Sequence, residues 1–132
     1  MLFNRKVKIK KLAGKTILIV DDEALLREVL VEFFNLEGAH VIEAENGTIG
    51  FKKLKENKID IVISDVRMPE GDGLSLLKQV NTTDLGYKPL VFLYSGHADI
   101  LSQSSVEALG ATGYFIKPFS VRDLIKVLSS YC

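Results

Sequence analysis

The chain has 132 residues, 47% hydrophobic and 26% charged, with acids and bases in equal number. This is the composition of one ordinary globular domain with a single core, not of a disordered or fibrous chain. One cysteine, Cys132, excludes an internal disulfide framework, and no apolar run approaches the ~20 residues needed to span a bilayer.

Charge is unevenly spread along the chain. Residues 1–15 carry Arg5, Lys6, Lys8, Lys10, Lys11 and Lys15 and no acid, which leaves eleven bases against seventeen acids in the remainder. The pattern divides the chain into a basic leader, residues 1–14, and an acidic domain, residues 15–132. In the leader Val7, Ile9 and Leu12 interleave with lysines, as in a short amphipathic strand or a solvated tail. Six charges without stacking aromatics are a weak nucleic-acid signal. Lys15 and the Asp21-Asp22 pair interrupt any signal-peptide core, so the expected location is the cytoplasm.

Thr16 to Val20 is an apolar run that reads as a buried strand and stops at Asp21-Asp22-Glu23. Leu25, Leu26, Val29, Leu30, Phe33 and Phe34 then follow helical spacing up to Gly38. Ala39 to Ala44 predicts a second strand, and Gly47 to Asn57 a helix whose first turn is weakened by Gly47 and Gly50. Ile59 to Ile63 is the third apolar run. It ends at Ser64-Asp65 and breaks into a loop marked by Pro69, Gly71 and Gly73, after which Leu74, Leu77 and Val80 share a helical face. Pro89 to Tyr94 is a fourth strand ending at Ser95-Gly96-His97, followed by a serine-rich and weak helix over Ile100 to Leu109. Gly113 to Ile116 is the fifth strand, ending at Lys117-Pro118-Phe119, and Ser120 is placed to cap a last helix striped by Val121, Leu124, Ile125 and Leu128. Five alternations of strand and helix with short connections predict an α/β fold, a doubly wound parallel sheet covered on both faces. The chain ends with the fifth helix, so no appended DNA-binding domain is expected.

The strand ends are where the chemistry gathers. Asp21 and Asp22 follow the first strand, Asp65 the third, Ser95 the fourth and Lys117 the fifth, and in a parallel sheet these ends share one edge. Glu43 and Glu45 at the second strand are less clearly placed. Singly, each residue has a plain reading: Asp22 as a helix cap, Ser95-Gly96 as a turn, Lys117 as a surface base. Together they make a site. Carboxylates ~5 Å apart repel by roughly 3 kcal/mol per pair at an effective dielectric near 20, which favours a hard divalent cation, and oxygen-only ligands suit Mg²⁺. Mg²⁺ is commonly shared with phosphate oxygens. Lys117 and Ser95 supply a positive charge and a hydroxyl for the same anion. Asp65 is then available as a nucleophile for a phosphoryl group.

These residues resemble the receiver domain of bacterial two-component response regulators, over about Lys15 to Tyr131. Asp21 and Asp22 match the acidic pair that helps hold Mg²⁺, Asp65 the phosphate acceptor, and Arg67 the position whose backbone carbonyl completes the metal site. Ser95 matches the hydroxyl switch, Tyr114 the aromatic switch, and Lys117 the lysine of the family. Met68-Pro69, Asp72-Gly73 and Lys117-Pro118-Phe119 match the flanking loops.

The resemblance implies a flavodoxin-like (βα)₅ sandwich with strand order 2-1-3-4-5 and a cis Lys117-Pro118 bond. It also implies phosphorylation of Asp65 by a histidine kinase or histidine phosphotransfer protein docking near the first helix. Phosphate on Asp65 would draw Ser95 toward it, let Tyr114 turn inward and reshape the face of the fourth helix, fifth strand and fifth helix for an unidentified protein target. Phosphorylation-dependent dimerisation is left open. Such a protein is a switch rather than a turnover enzyme. Arg67 and His97 occupy variable positions beside the phosphate. The alternatives are an adaptor of the same fold that is not phosphorylated, and a haloacid-dehalogenase-type phosphatase. The second wants an acid where Arg67 stands. A flavodoxin is disfavoured because Asp21-Asp22-Glu23 is acidic where a phosphate cradle is needed.

Overall fold

The structure is a computed structural model that describes residues 10–68, 72–96 and 103–132. Pro69, Gly71, His97 and the start of the helix expected at Ile100 lie outside the described residues. The elements in chain order are β1 (Thr16–Val20), α1 (Ala24–Leu36), β2 (His40–Ala44), α2 (Gly47–Glu56), β3 (Ile61–Asp65), α3 (Gly73–Thr82), β4 (Leu90–Gly96), α4 (Gln103–Ala108), β5 (Gly113–Lys117) and α5 (Val121–Ser130). The strands form one parallel sheet in the order β2-β1-β3-β4-β5. This is the expected doubly wound fold.

Alternation along each strand splits the core in two. Leu18, Val20, Val62, Leu93 and Tyr114 face one way and pack with Leu54 of α2, Leu76, Leu77 and Val80 of α3 and Val106 of α4. Ile17, Ile19, Ile61, Ile63, Phe92 and Tyr94 face the other way and pack with Leu30 and Phe34 of α1 and Leu124 and Leu128 of α5. The runs of β-branched residues in β1 and β3 are buried on both sides for this reason. Gly50 lets α2 lie close on β1, because a Cβ there would stand 3.1 Å from Val20.

Local chemistry sets most boundaries. Asn46 Oδ1 accepts from the Ile49 N–H at 2.8 Å and Asp72 Oδ1 from the Ser75 N–H at 2.8 Å, starting α2 and α3. Ser120 caps α5 as expected, its hydroxyl accepting from the Asp123 N–H at 3.3 Å. Strand β4 runs two residues beyond the expected end because Ser95 and Gly96 pair with Ile116 and Lys117 of β5. The Lys117-Pro118 bond is cis.

Three features differ from the sequence reading. Asp22 does not cap α1: the cap residue is Glu23, which makes no side-chain capping bond, and Asp21 instead accepts the Glu23 N–H at 2.7 Å. The apolar stripe of α1 is wider than the seam it fills, so Leu30 and Phe34 are buried while Leu25, Val29, Phe33 and Leu36 are exposed. Leu12, read as part of the leader, is fully buried among Ile17, Ile19, Leu30 and Phe34. Burying a leucine in this way contributes about 1.5–3 kcal/mol. The Lys10 ammonium fastens the same turn by donating to the Leu36 carbonyl at 2.8 Å, and the Gly14 N–H donates to the Gly38 carbonyl at 3.0 Å.

Candidate functional site at the carboxyl edge of the sheet

The carboxyl ends of β1, β3, β4 and β5 bring Asp21, Asp65, Ser95 and Lys117 to one edge, as the strand-end pattern predicted. One ligand atom from each of Asp21, Asp22 and Asp65 lies within 4.8 Å of the others. Asp21 is fully buried and Asp65 nearly so, whereas Asp22 is exposed. The difference between the adjacent acids is one of alternation: Asp21 continues the inward line of Ile17 and Ile19, and Asp22 points away from it.

Each buried carboxylate is held by donors. Asp65 Oδ1 accepts from the Arg67 backbone N–H at 3.2 Å, and its Oδ2 accepts from Lys117 Nζ at 3.3 Å. Asp21 Oδ1 takes the Glu23 N–H, and its Oδ2 takes the Tyr94 hydroxyl. Arg27, one turn into α1, donates from Nη1 to the Asp21 carbonyl at 2.5 Å and from Nε to Glu43 at 3.2 Å. It thereby ties the acidic loop to the end of β2. Gly73 closes in from the far side of the loop and donates its N–H to the Val66 carbonyl at 2.9 Å. A Cβ at Gly73 would stand 2.4 Å from the Asp65 carbonyl oxygen, so only glycine fits there.

The electrostatics follow from burial and spacing. Burial raises Asp65 above the ordinary carboxylate range, opposed by the Arg67 N–H and by Lys117. Burial raises Asp21 as well, opposed by the Tyr94 hydroxyl and the Glu23 N–H, with the Asp65 charge adding to the rise. For Lys117 burial acts downward, but Asp65, Asp21 and Glu23 prevail and its ammonium is held more tightly than usual. Three convergent carboxylates facing one lysine leave an excess of negative charge. An all-oxygen donor set with one exposed member fits a hard divalent cation such as Mg²⁺.

Ser95 stands on the opposite side of β4 from Tyr94 and is fully buried. Its Oγ is hydrogen-bonded to the Tyr114 hydroxyl. Tyr114, for which the resemblance implies an inward turn on activation, is thus already inside in this structure, 7% exposed.

Fold and edge together are those of a domain with an acidic, cation-ready site at the carboxyl ends of a parallel sheet. The chain belongs to the response regulator receiver domain family, whose profile matches residues 17–129. It is 34% identical over 119 residues to the chemotaxis protein CheY of Thermotoga maritima, covering 88% of this chain and 96% of that one. To sporulation initiation phosphotransferase F of Bacillus subtilis it is 30% identical over 118 residues, covering 89% and 94% of the two chains. Longer relatives also match: the chain is 37% identical over 110 residues to the regulatory protein AtoC of Escherichia coli and covers 23% of it. Among solved structures, the chemotaxis response regulator CheY4 of Vibrio cholerae superposes with a TM-score of 0.81 at 26% identity, covering 91% of this chain and all of that one. Receiver domains take phosphate from histidine kinases or phosphotransfer proteins and bind Mg²⁺ at an acidic cluster. Among the described residues, no helix is long and apolar enough to cross a membrane.

Two residues at the edge were not singled out in the sequence, Arg27 and Tyr94. Arg27 carried no signal beyond a base on the polar side of a helix. Tyr94 carried one: it is the only polar-tipped side chain in the run Leu90 to Tyr94, one step before Ser95 and therefore on the opposite face.

Proposed function

We propose that the protein is a signalling receiver in which Asp65 accepts a phosphoryl group from a histidine kinase or histidine phosphotransfer protein in a Mg²⁺-dependent reaction. The observation that carries this reading is the placement of the Asp65 carboxylate, 3.3 Å from Lys117 Nζ and converging with Asp21 and Asp22. Asp21, Asp22, Asp65 and the Arg67 backbone carbonyl would hold the cation. When bound, Mg²⁺ neutralises charge on the transferring phosphoryl oxygens. An Asp65 carboxylate oxygen attacks phosphorus, the P–N bond to the donor imidazole breaks, and the imidazole leaves with the electron pair and takes up a proton. Lys117 balances the charge of the acyl phosphate that forms.

In this reading the signal is a change of partner for Ser95. A phosphoryl oxygen competes with the Tyr114 hydroxyl for the serine Oγ, and the released tyrosine alters the face built by α4, β5 and α5. That face already exposes Leu109 and Ile116, apolar groups suited to a protein target. An unphosphorylated adaptor is the second reading. It is disfavoured by the Lys117–Asp65 contact, since an adaptor has no use for a half-buried ion pair at a strand end. A phosphatase is disfavoured because Arg67 stands where its acid is needed.

Intact-mass spectrometry after incubation with acetyl phosphate tests the proposal. One added phosphoryl group is expected, dependent on Mg²⁺ and absent from Asp65→Asn. An adduct that persists in Asp65→Asn would refute the assignment. Gel filtration with and without beryllofluoride then decides whether activation joins two copies.

A further inference from the structure

Tyr94 does more than fill the core. It is fully buried at the end of β4, in register with Asp65 of β3, on the face that β1 lines with Ile17 and Ile19. Packing on that face asks only for an apolar side chain, and Phe92, two residues earlier, meets the need without a hydroxyl. The Tyr94 hydroxyl is directed at the carboxyl edge and donates to Asp21 Oδ2. A hydrogen bond to a charged acceptor is about twice as strong as one between neutral groups. The ring has a second contact, with Lys117 Nζ 5.2 Å from its centroid. Phe119, 5.3 Å away between ring centroids, backs the ring.

We propose that Tyr94 is a positioning residue of the metal site: its hydroxyl fixes Asp21 while its ring carries Lys117, so that one side chain sets the acid and the base that flank Asp65. This rests on the phosphoacceptor reading above. Asp21 is fully buried, and its two oxygens have separate protein donors, the Glu23 N–H and the Tyr94 hydroxyl. Without the hydroxyl, Oδ2 loses its donor and the carboxylate can swing about the remaining bond. Groups that orient a metal-binding carboxylate from behind are typically worth 10–100-fold in metal affinity.

The test is Mg²⁺ titration calorimetry on the metal-free protein, with Tyr94→Phe, Asp65→Asn and Tyr87→Phe in parallel. Tyr87 is the control phenol: its hydroxyl lies 2.6 Å from the Leu54 carbonyl and 2.7 Å from that of Asn57, away from the edge. Tyr94→Phe is expected to weaken Mg²⁺ binding about 10-fold or more, whereas Tyr87→Phe leaves the affinity unchanged whatever it does to the melting temperature. Tyr94→Phe binding within about twofold of the unsubstituted protein overturns the proposal. Failure of the underlying reading looks different, since Mg²⁺ would then bind nowhere or bind equally well to Asp65→Asn.

A spectroscopic reading does not depend on any one variant. The chain has four tyrosines and no tryptophan, so a near-ultraviolet difference band on adding Mg²⁺ at wavelengths longer than phenylalanine absorbs reports tyrosine alone. The band is expected in the unsubstituted protein and in Tyr87→Phe, and lost in Tyr94→Phe. Its absence from the unsubstituted protein would also overturn the proposal.

Discussion

The two sides of the sheet end differently at the same edge. On the α1/α5 side, Ile17 and Ile19 lead to Asp21, Ile61 and Ile63 lead to Asp65, and Tyr94 stands beside them with Lys117 over its ring. On the α2/α3/α4 side, the edge offers a neutral pair, Ser95 and Tyr114, joined through their hydroxyls. The charged side is held by ion pairing and by donors on every buried carboxylate oxygen, so it resists rearrangement. The neutral side is joined by one bond between two hydroxyls, each able to donate to another acceptor. Asp65 is thus tied down by two donors, while the Ser95–Tyr114 pair next to it rests on a single bond.

The contrast can be broken from the charged side first. Lys117→Ala is expected to slow phosphoryl adduct formation by about 10³-fold, the scale of losing a charge-stabilising donor, with little change in secondary structure; mass spectrometry against time with acetyl phosphate measures it. Gly73→Ala should follow. Its Cβ collides with the Asp65 carbonyl, and denaturant unfolding is expected to show a loss of about 3 kcal/mol, typical of overpacking against a backbone that cannot yield.

A gentler test uses pH. Asp21 and Asp65 are raised by burial, so the native state holds their protons more tightly than the unfolded chain does. Their contribution is therefore fullest at low pH and falls as pH rises from about 4 through the folded values. The metal-free protein should lose melting temperature over that window relative to an Asp21→Asn/Asp65→Asn variant, and Mg²⁺ should restore it at neutral pH. A flat difference would contradict the burial of the two acids. The smallest effect belongs to the neutral pair. A double-mutant cycle of Ser95→Ala and Tyr114→Phe is expected to return a coupling of about 1 kcal/mol in unfolding free energy, and near-zero coupling would mean that the hydroxyls do not hold each other.

Much of this was readable from the chain because strand ends punctuate it. Four of the five apolar runs stop at Asp21, Asp65, Ser95 and Lys117, which a parallel sheet must fold onto one edge. The choice between Asp21 and Asp22 was not made from sequence, since two identical residues in a row differ only in which continues the inward alternation. Leu12 reads as part of the basic leader because Lys10 and Lys11 precede it, yet those lysines lie at the surface while the leucine turns in. Nothing beside Tyr94 in the sequence marks its role, because its hydroxyl partner is seventy-three residues away. Long-range pairings of that kind leave no local pattern.

The docked turn at residues 10–14 has a practical consequence. Lys10 grips the far end of α1 and Leu12 plugs the amino-terminal side of the core, so the described chain begins at the pole opposite Asp65. Strand β1 alone puts five residues between them, ~17 Å at ~3.3 Å per residue. A fluorophore, affinity handle or surface tether that enters the described chain at Lys10 is therefore expected to disturb Asp65 least. Trimming the chain past Leu12 would instead open the layer between α1 and β1, and a shortened protein should be judged by its melting curve before its chemistry.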